Sequence, residues 1–259
     1  MMRISSDDLP ALSKAAEAGD AEAQFRLGFA YGGGGDSPPD FALAAQWYRK
    51  AALHGLAEAQ FQLGSLYAQG KGLSQDDEQA VKWWRKAAMQ GLSEAQYNLG
   101  YMYAQGKGVK QDHEEAVKWW RNAAEQGFVN AQYNLGSMYA LGWGCREPDI
   151  EKAVIFWRKA AERGHAQAQL QLARMYASGR GVDAKCLVSA YTWALLAAGA
   201  VSKAQDLRCQ LEKELTPEQV AKAKTLASDL RQQIDAIAKT VSTHGRGVHS
   251  EPQVQDLDR

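Results

Sequence analysis

The side chains able to do chemistry are few, and they do not converge. The histidines are His54, His113, His165, His244 and His249. A helical zinc site needs two imidazoles four residues apart on one face, and no such pair occurs. His54 and His165 fall near expected helix ends and are read as solvent-facing or capping groups. The cysteines, Cys145, Cys186 and Cys209, are odd in number and lack ligand spacing. Cys186 and Cys209 lie in predicted helices or at their edges and read as small hydrophobes. Cys145 occupies a loop position held elsewhere by Val109 and Val182, so it is expected to line the core there. Gly70-Lys71-Gly72, Gly106-Lys107-Gly108 and the run Gly32 to Gly35 suggest phosphate cradles only superficially. A Walker loop puts four residues between its first glycine and Gly-Lys-Ser/Thr, after a buried strand. The acidic residues keep a periodic register, which leaves no out-of-register carboxylate pair for glycoside chemistry. The reading is therefore no catalytic residue, no cofactor and no metal.

Composition narrows the partner classes. The 259 residues are 46% hydrophobic and 23% charged, ordinary values for a globular chain. Thirty Lys and Arg balance thirty Asp and Glu, so no net positive field calls for nucleic acid, and none is expected. No stretch approaches 18 consecutive apolar residues, so no membrane span is expected. Residues 1–8 lack the apolar segment of a signal peptide. The expected location is cytoplasmic, with periplasmic or secreted placement open if a leader has been removed.

The elements that must position any site repeat along the chain. Gln24, Gln60, Gln96, Gln132 and Gln169 are spaced 36, 36, 36 and 37 residues apart. Three residues after each comes Leu27, Leu63, Leu99, Leu135 or Leu172, and a tyrosine follows four residues later. Residues 57–92 and 93–128 are identical at 24 of 36 positions, a self-similarity that marks a repeat architecture. In each unit, Ala59, Leu63, Tyr67 and their counterparts share one face of a first helix. That helix is expected to stop at Gly70, Gly106, Gly142 or Gly179 in the left-handed conformation. Gly28, Gly64, Gly100 and Gly136 sit inside the first helices, where glycine costs about 1 kcal/mol. The expected compensation is close approach of a neighbouring helix, backbone against backbone. A second helix starts near Asp76 or Asp112, with Glu78–Lys82 and Glu114–Lys118 as expected ion pairs. Its apolar face combines small alanines with Tyr48, Trp84, Trp120 or Trp157.

This register divides the chain into an N-terminal half-repeat cap (1–20) and repeats at 21–56, 57–92, 93–128, 129–165 and 166–200. Capping helices follow at 201–237, with a stripe of Val220, Ala223, Leu226, Leu230 and Ile234. A disordered tail is expected at 238–259. The first loop, Gly32 to Pro39, is expected to be more mobile and less helix-like than the others.

The strings Ala95-Gln96-Tyr97-Asn98-Leu99-Gly100-Tyr101-Met102-Tyr103 and Gly106-Lys107-Gly108-Val109 carry a family resemblance. So do Asp112, Glu115, Ala116, Trp119, Trp120, Arg121, Ala123, Ala124 and Gly127. Together they resemble the Sel-one-like repeat (SLR) family, relatives of the tetratricopeptide repeats, over about residues 8–200. The resemblance implies an all-α, right-handed α/α superhelical solenoid with a concave groove, acting as an adaptor for a protein or peptide. It brings no catalytic residues. Some secreted members hold each helix pair with a disulfide, a cysteine pattern this chain lacks.

Partner-reading residues are expected where matching units differ or stay polar on the first helices. One column is Arg26, Gln62, Asn98, Asn134 and Gln171; another is Phe29, Ser65, Tyr101, Ser137 and Arg174. Trp143 replaces the charge of Lys71, Lys107 and Arg180 in a fourth loop with one extra residue. It either folds back on the neighbouring repeat or anchors a partner. The alternatives to an adaptor are a hydrolase of cell-wall or amide substrates, or a purely structural assembly module.

Overall fold

A computed structural model describes residues 3–244, with side chains described to residue 240. The described residues form two compact units, divided after Gln126. The first contains α1 (Leu9–Glu17), α2 (Ala21–Phe29), α3 (Phe41–Leu53), α4 (Ala57–Gln69), α5 (Asp77–Met89), α6 (Ser93–Gln105) and α7 (His113–Glu125). The second contains α8 (Val129–Leu141), α9 (Ile150–Ala161), α10 (Ala166–Ser178), α11 (Leu187–Ala197), α12 (Ser202–Glu212) and α13 (Pro217–His244). From α1 to α7 and from α8 to α12 successive helices pack on one another, and α13 packs on α11, so each helix pair closes its core against the next. The fold is all-α.

The expected helix signals act locally. Asp40, Asp76, Asp112 and Asp149 each accept a hydrogen bond from the amide three residues on, at 2.9, 2.9, 3.0 and 2.9 Å. Such a cap contributes about 1 kcal/mol by satisfying an otherwise orphaned donor. The same four residues donate their own amides back to the carbonyls of Tyr31, Tyr67, Tyr103 and Tyr139, at 2.8 to 3.0 Å. Cys186 makes the equivalent bond to Tyr176 at 3.0 Å. Each loop is thus clasped at its two ends, while Gly70, with φ +65°, closes α4 in the left-handed conformation.

The interior glycines make room for rings. A Cβ built on Gly100 would lie 2.6 Å from Trp120 Cδ1, and one on Gly64 would lie 2.7 Å from Trp84 Cδ1. Trp120, fully buried, donates its indole N–H to the Tyr97 carbonyl at 3.0 Å, and Trp84 donates to Phe61 at 3.2 Å. The expectation of backbone against backbone is corrected: an aromatic ring takes the glycine's space, with the Ala80 carbonyl next nearest at Gly64. The fifth repeat explains its own exception. Ala194 stands at the register position of Trp84 and Trp120, and Ala173 stands opposite in place of glycine; both are fully buried. Where the ring is gone, the methyl fits.

Several other expectations change. The first loop does not leave the helix at once: Ala30–Gly34 form a π turn, and the Ile4 amide bonds the Gly34 carbonyl at 2.9 Å. Neither expected pair, Glu78–Lys82 or Glu114–Lys118, forms; Lys118 instead meets Glu115 and Lys152 meets Asp149, each at i,i+3 beside a helix start. Thr216 and Gln219 form a reciprocal cap ahead of α13. On that helix Ala223 and Ala227 are buried while Leu226 is 39% exposed, so the covering stripe runs through Ala227. Residues 238–244 of the expected tail continue α13 as helix, and 245–259 lie outside the described residues.

Substituting Gly100→Ala should cost about 1–3 kcal/mol by overpacking against Trp120. In a Trp120→Ala background the same change should be neutral or stabilising, as the Ala173–Ala194 pair indicates. Denaturant unfolding of the four proteins in a double-mutant cycle measures the coupling; additive effects would contradict the ring-for-Cβ account.

Candidate functional site

The two expected columns separate into scaffold and accessible positions. In the first unit Arg26 is exposed on α2, Gln62 is half-buried on α4, and Asn98 is 6% exposed on α6. In the second unit Asn134 is 7% exposed on α8 and Gln171 is half-buried on α10. No described residue gives either asparagine amide a side-chain hydrogen bond. Neither amide is among the fully enclosed unpaired polar groups, so its polar end opens to solvent and can be met by water or a ligand.

In the second column Phe29 packs with the scaffold: it touches two core clusters, and a Cβ on Gly34 would meet its ring. Ser65 and Ser137 turn back onto their own helices, donating to Phe61 and Tyr133 carbonyls at 3.0 and 3.3 Å. Tyr101 is half-buried beside the α5–α6 core, with the Lys107 ammonium 5.5 Å from its ring centre. Arg174 is exposed. Gln62, Asn98 and Tyr101 share the first unit; Asn134, Gln171 and Arg174 share the second.

The glutamines that mark the repeat are themselves structural. Gln24, Gln60, Gln96 and Gln169 are 3–5% exposed and donate to the carbonyls of Ala16, Ala52, Ala88 and Ala161, at 3.0 to 3.2 Å. Each joins a first helix to the end of the preceding second helix. The sequence placed these glutamines in phase but assigned them no partner.

The fourth loop is distinct. Trp143 is 41% exposed, and its amide donates to the Met138 carbonyl at 3.0 Å. Two further exposed apolar residues escaped the sequence reading: Leu141 at 52% and Ile155 at 53%. Register comparison could have found both. Leu141 stands where Gln69 and Gln105 stand, and Ile155 where Lys82 and Lys118 stand. Beside this loop an open cleft of about 530 Å³ is lined by Tyr139, half-buried Cys145, Arg146, Asp149 and Lys152, among others. Cys145 therefore lines a cleft rather than the core. Hydrogen bonds from the Lys152 ammonium and amide hold the Asp149 carboxyl below its usual range.

His54, His165 and Cys186 take cap positions, whereas Cys209, read as a small hydrophobe, is exposed on α12. His54 caps the end of α3, and His165 Nδ1 accepts from the Ala168 amide at 3.2 Å at the start of α10. Cys186 stands at the start of α11, where the Ser189 hydroxyl donates to its sulfur and lowers the thiol's pKa. Among the described residues no group of three or more His, Cys, Asp or Glu is placed to hold a metal. No helix there is long and apolar enough to cross a membrane.

Scaffold and accessible positions should differ in thermodynamic cost. Gln60→Ala should destabilise by about 0.5–1.5 kcal/mol, because it removes the side-chain bond to the Ala52 carbonyl, which keeps only the Gly55 amide. Gln62→Ala and Trp143→Lys should each stay within about 0.5 kcal/mol of the parent and keep its far-ultraviolet circular dichroism. A large loss of melting temperature for Trp143→Lys would assign that ring to the scaffold.

The Sel1 repeat family matches residues 21–56, 57–92, 93–128, 129–165 and 166–200. No curated protein matches the chain. A protective antigen of uropathogenic Escherichia coli displaying an SLR fold is 35% identical, with a TM-score of 0.76. That similarity covers 94% of this chain, which spans only 53% of the antigen's length. A Sel1 repeat protein from Oxalobacter formigenes is 31% identical with a TM-score of 0.68, covering 86% of this chain and 97% of the other. The solenoid fold expected from the sequence is shared with both. Sel1 repeat proteins are generally protein-interaction modules and typically non-catalytic scaffolds. With five matched repeats over most of its length, this chain belongs to the Sel1 repeat family.

Proposed function

We propose that the chain is a non-catalytic adaptor whose units each present first-helix side chains to an extended segment of a partner protein. The observation that carries this reading is the pair Asn98 and Asn134, whose side chains are packed among the helices while their amides, without a hydrogen-bond partner among the described residues, stay open to solvent. An asparagine amide both donates and accepts, so it matches the alternating donors and acceptors of a peptide backbone. Gln62 and Gln171 repeat that chemistry at the same register. Tyr101 and Arg174, next to these amides along their helices, are of the residue types that dominate interface energetics. A peptide held this way is recognised chiefly by its main chain, with Arg26 and Tyr101 selecting among side chains at the first unit and Arg174 at the second.

The test is affinity capture from the native cell, comparing the parent with Asn98→Ala, Tyr101→Ala and Arg174→Ala. Each substitution should weaken a partner's binding about tenfold or more while leaving the melting temperature within a few degrees. If every captured partner bound all three variants as well as the parent, the first-helix columns would not be the binding face.

A further inference from the structure

The two most exposed large apolar side chains among the described residues are Leu53, at 71%, and Met89, at 75%. Both end a second helix, α3 and α5, at the same register in adjacent repeats of the first unit. The turns that carry them are joined: the Gln90 amide donates to the Gly55 carbonyl at 2.9 Å and to Gln60 Oε1 at 2.8 Å. One helical turn before each apolar tip stands a lysine. The Lys50 ammonium lies 3.9 Å from the Trp47 ring centre, and that of Lys86 lies 4.3 Å from the Trp83 ring centre. These contacts hold two cations beside two aliphatic tips. The combination stops there, since Glu125 and Glu162 occupy the aliphatic position in the next two repeats.

The chain itself shows what covers such an edge. Gly164, at the matching turn in the second unit, lies against α13: a Cβ on it would sit 3.1 Å from Ile234 Cγ2. At Gly55 and Gly91 a Cβ would meet nothing within 4 Å. An apolar residue of an amphipathic helix closes one turn, and two equivalent turns are open.

We propose that the α3–α4 and α5–α6 turns form a second docking surface, distinct from the first-helix columns, for an amphipathic helix of a partner protein. Its aliphatic stripe covers Leu53 and Met89, and its flanking acidic residues meet Lys50 and Lys86. The charge of the two ring-held lysines sets the preference for acidic flanks, and the apolar tips set the preference for a helix with one greasy face.

The test selects displayed amphipathic helical peptides on the full chain and measures the affinity of the selected peptides. Peptides with an aliphatic face and Asp or Glu beside it should be enriched. Their affinity should fall at least tenfold for the double variant Leu53→Glu, Met89→Glu, whose fold is checked by circular dichroism. It should fall severalfold for Lys50→Glu, Lys86→Glu and recover there when the acidic residues of the peptide are changed to lysine. Binders that lose affinity only for Asn98→Ala or Tyr101→Ala would overturn the proposal, as would recovery of no binder dependent on Leu53 and Met89. Binding to phosphatidylserine vesicles with the same dependence on both pairs would also overturn it, by assigning the edge to a lipid surface.

Discussion

The repeat depends on a buried carboxamide. A helix ends with carbonyls that have no donor within the helix, and burying such an end without a partner is costly. Here the side chain of Gln60 or Gln96 reaches back eight residues to the Ala52 or Ala88 carbonyl and adds, from the following helix, a second donor beside the Gly55 or Gly91 amide. Gln90 and Gln126 then donate to the glutamine oxygens at 2.8 Å, which completes both ends of the amide. The bond is short-range in sequence yet joins one repeat to the next. An apolar residue at that position would fill the space but leave the carbonyl only the Gly55 or Gly91 amide, and leave Gln90 or Gln126 without one of its acceptors.

Around that bond, packing is solved by exchange of volume. The ring of Trp84 or Trp120 occupies the space a Cβ would need at Gly64 or Gly100 and hydrogen-bonds the carbonyl three residues before that glycine. The fifth repeat uses Ala173 and Ala194 instead, so the pair changes together while the helix crossing remains. Between adjacent repeats Arg85 reaches the Tyr103 hydroxyl at 2.8 Å, and Arg158 reaches that of Tyr176 at 2.9 Å. These exposed contacts add little individually; the buried amides and rings define the repeat.

Helix positions were largely legible because their causes are local. Capping aspartates, stop glycines and alanine faces all act within a few residues, and each recurs in at least four of the five repeats. Residue roles were less legible where they depend on what lies opposite in space. Asn98 looked like a surface amide from its column, but burial beside the α5–α6 core is a property of packing. Phe29 looked variable because its partner is Gly34, present only in the first loop. Leu226 fitted a four-residue spacing, yet the helix turns enough between positions for Ala227 to take the buried place. Leu53 and Met89 were overlooked for the opposite reason: apolar residues at a helix end read as core until exposure is seen.

The clasp between each loop's ends has a consequence for how such a chain can diversify. The amide–carbonyl bond from Asp76 to Tyr67 spans nine residues, and that from Asp149 to Tyr139 spans ten, at 3.0 and 2.8 Å. An added residue changes the loop and leaves the frame in place. The intervening segment behaves as an interchangeable cassette, able to vary in length and chemistry without renegotiating the repeats on either side. Novelty can therefore accumulate one loop at a time, as Trp143 and its neighbours illustrate.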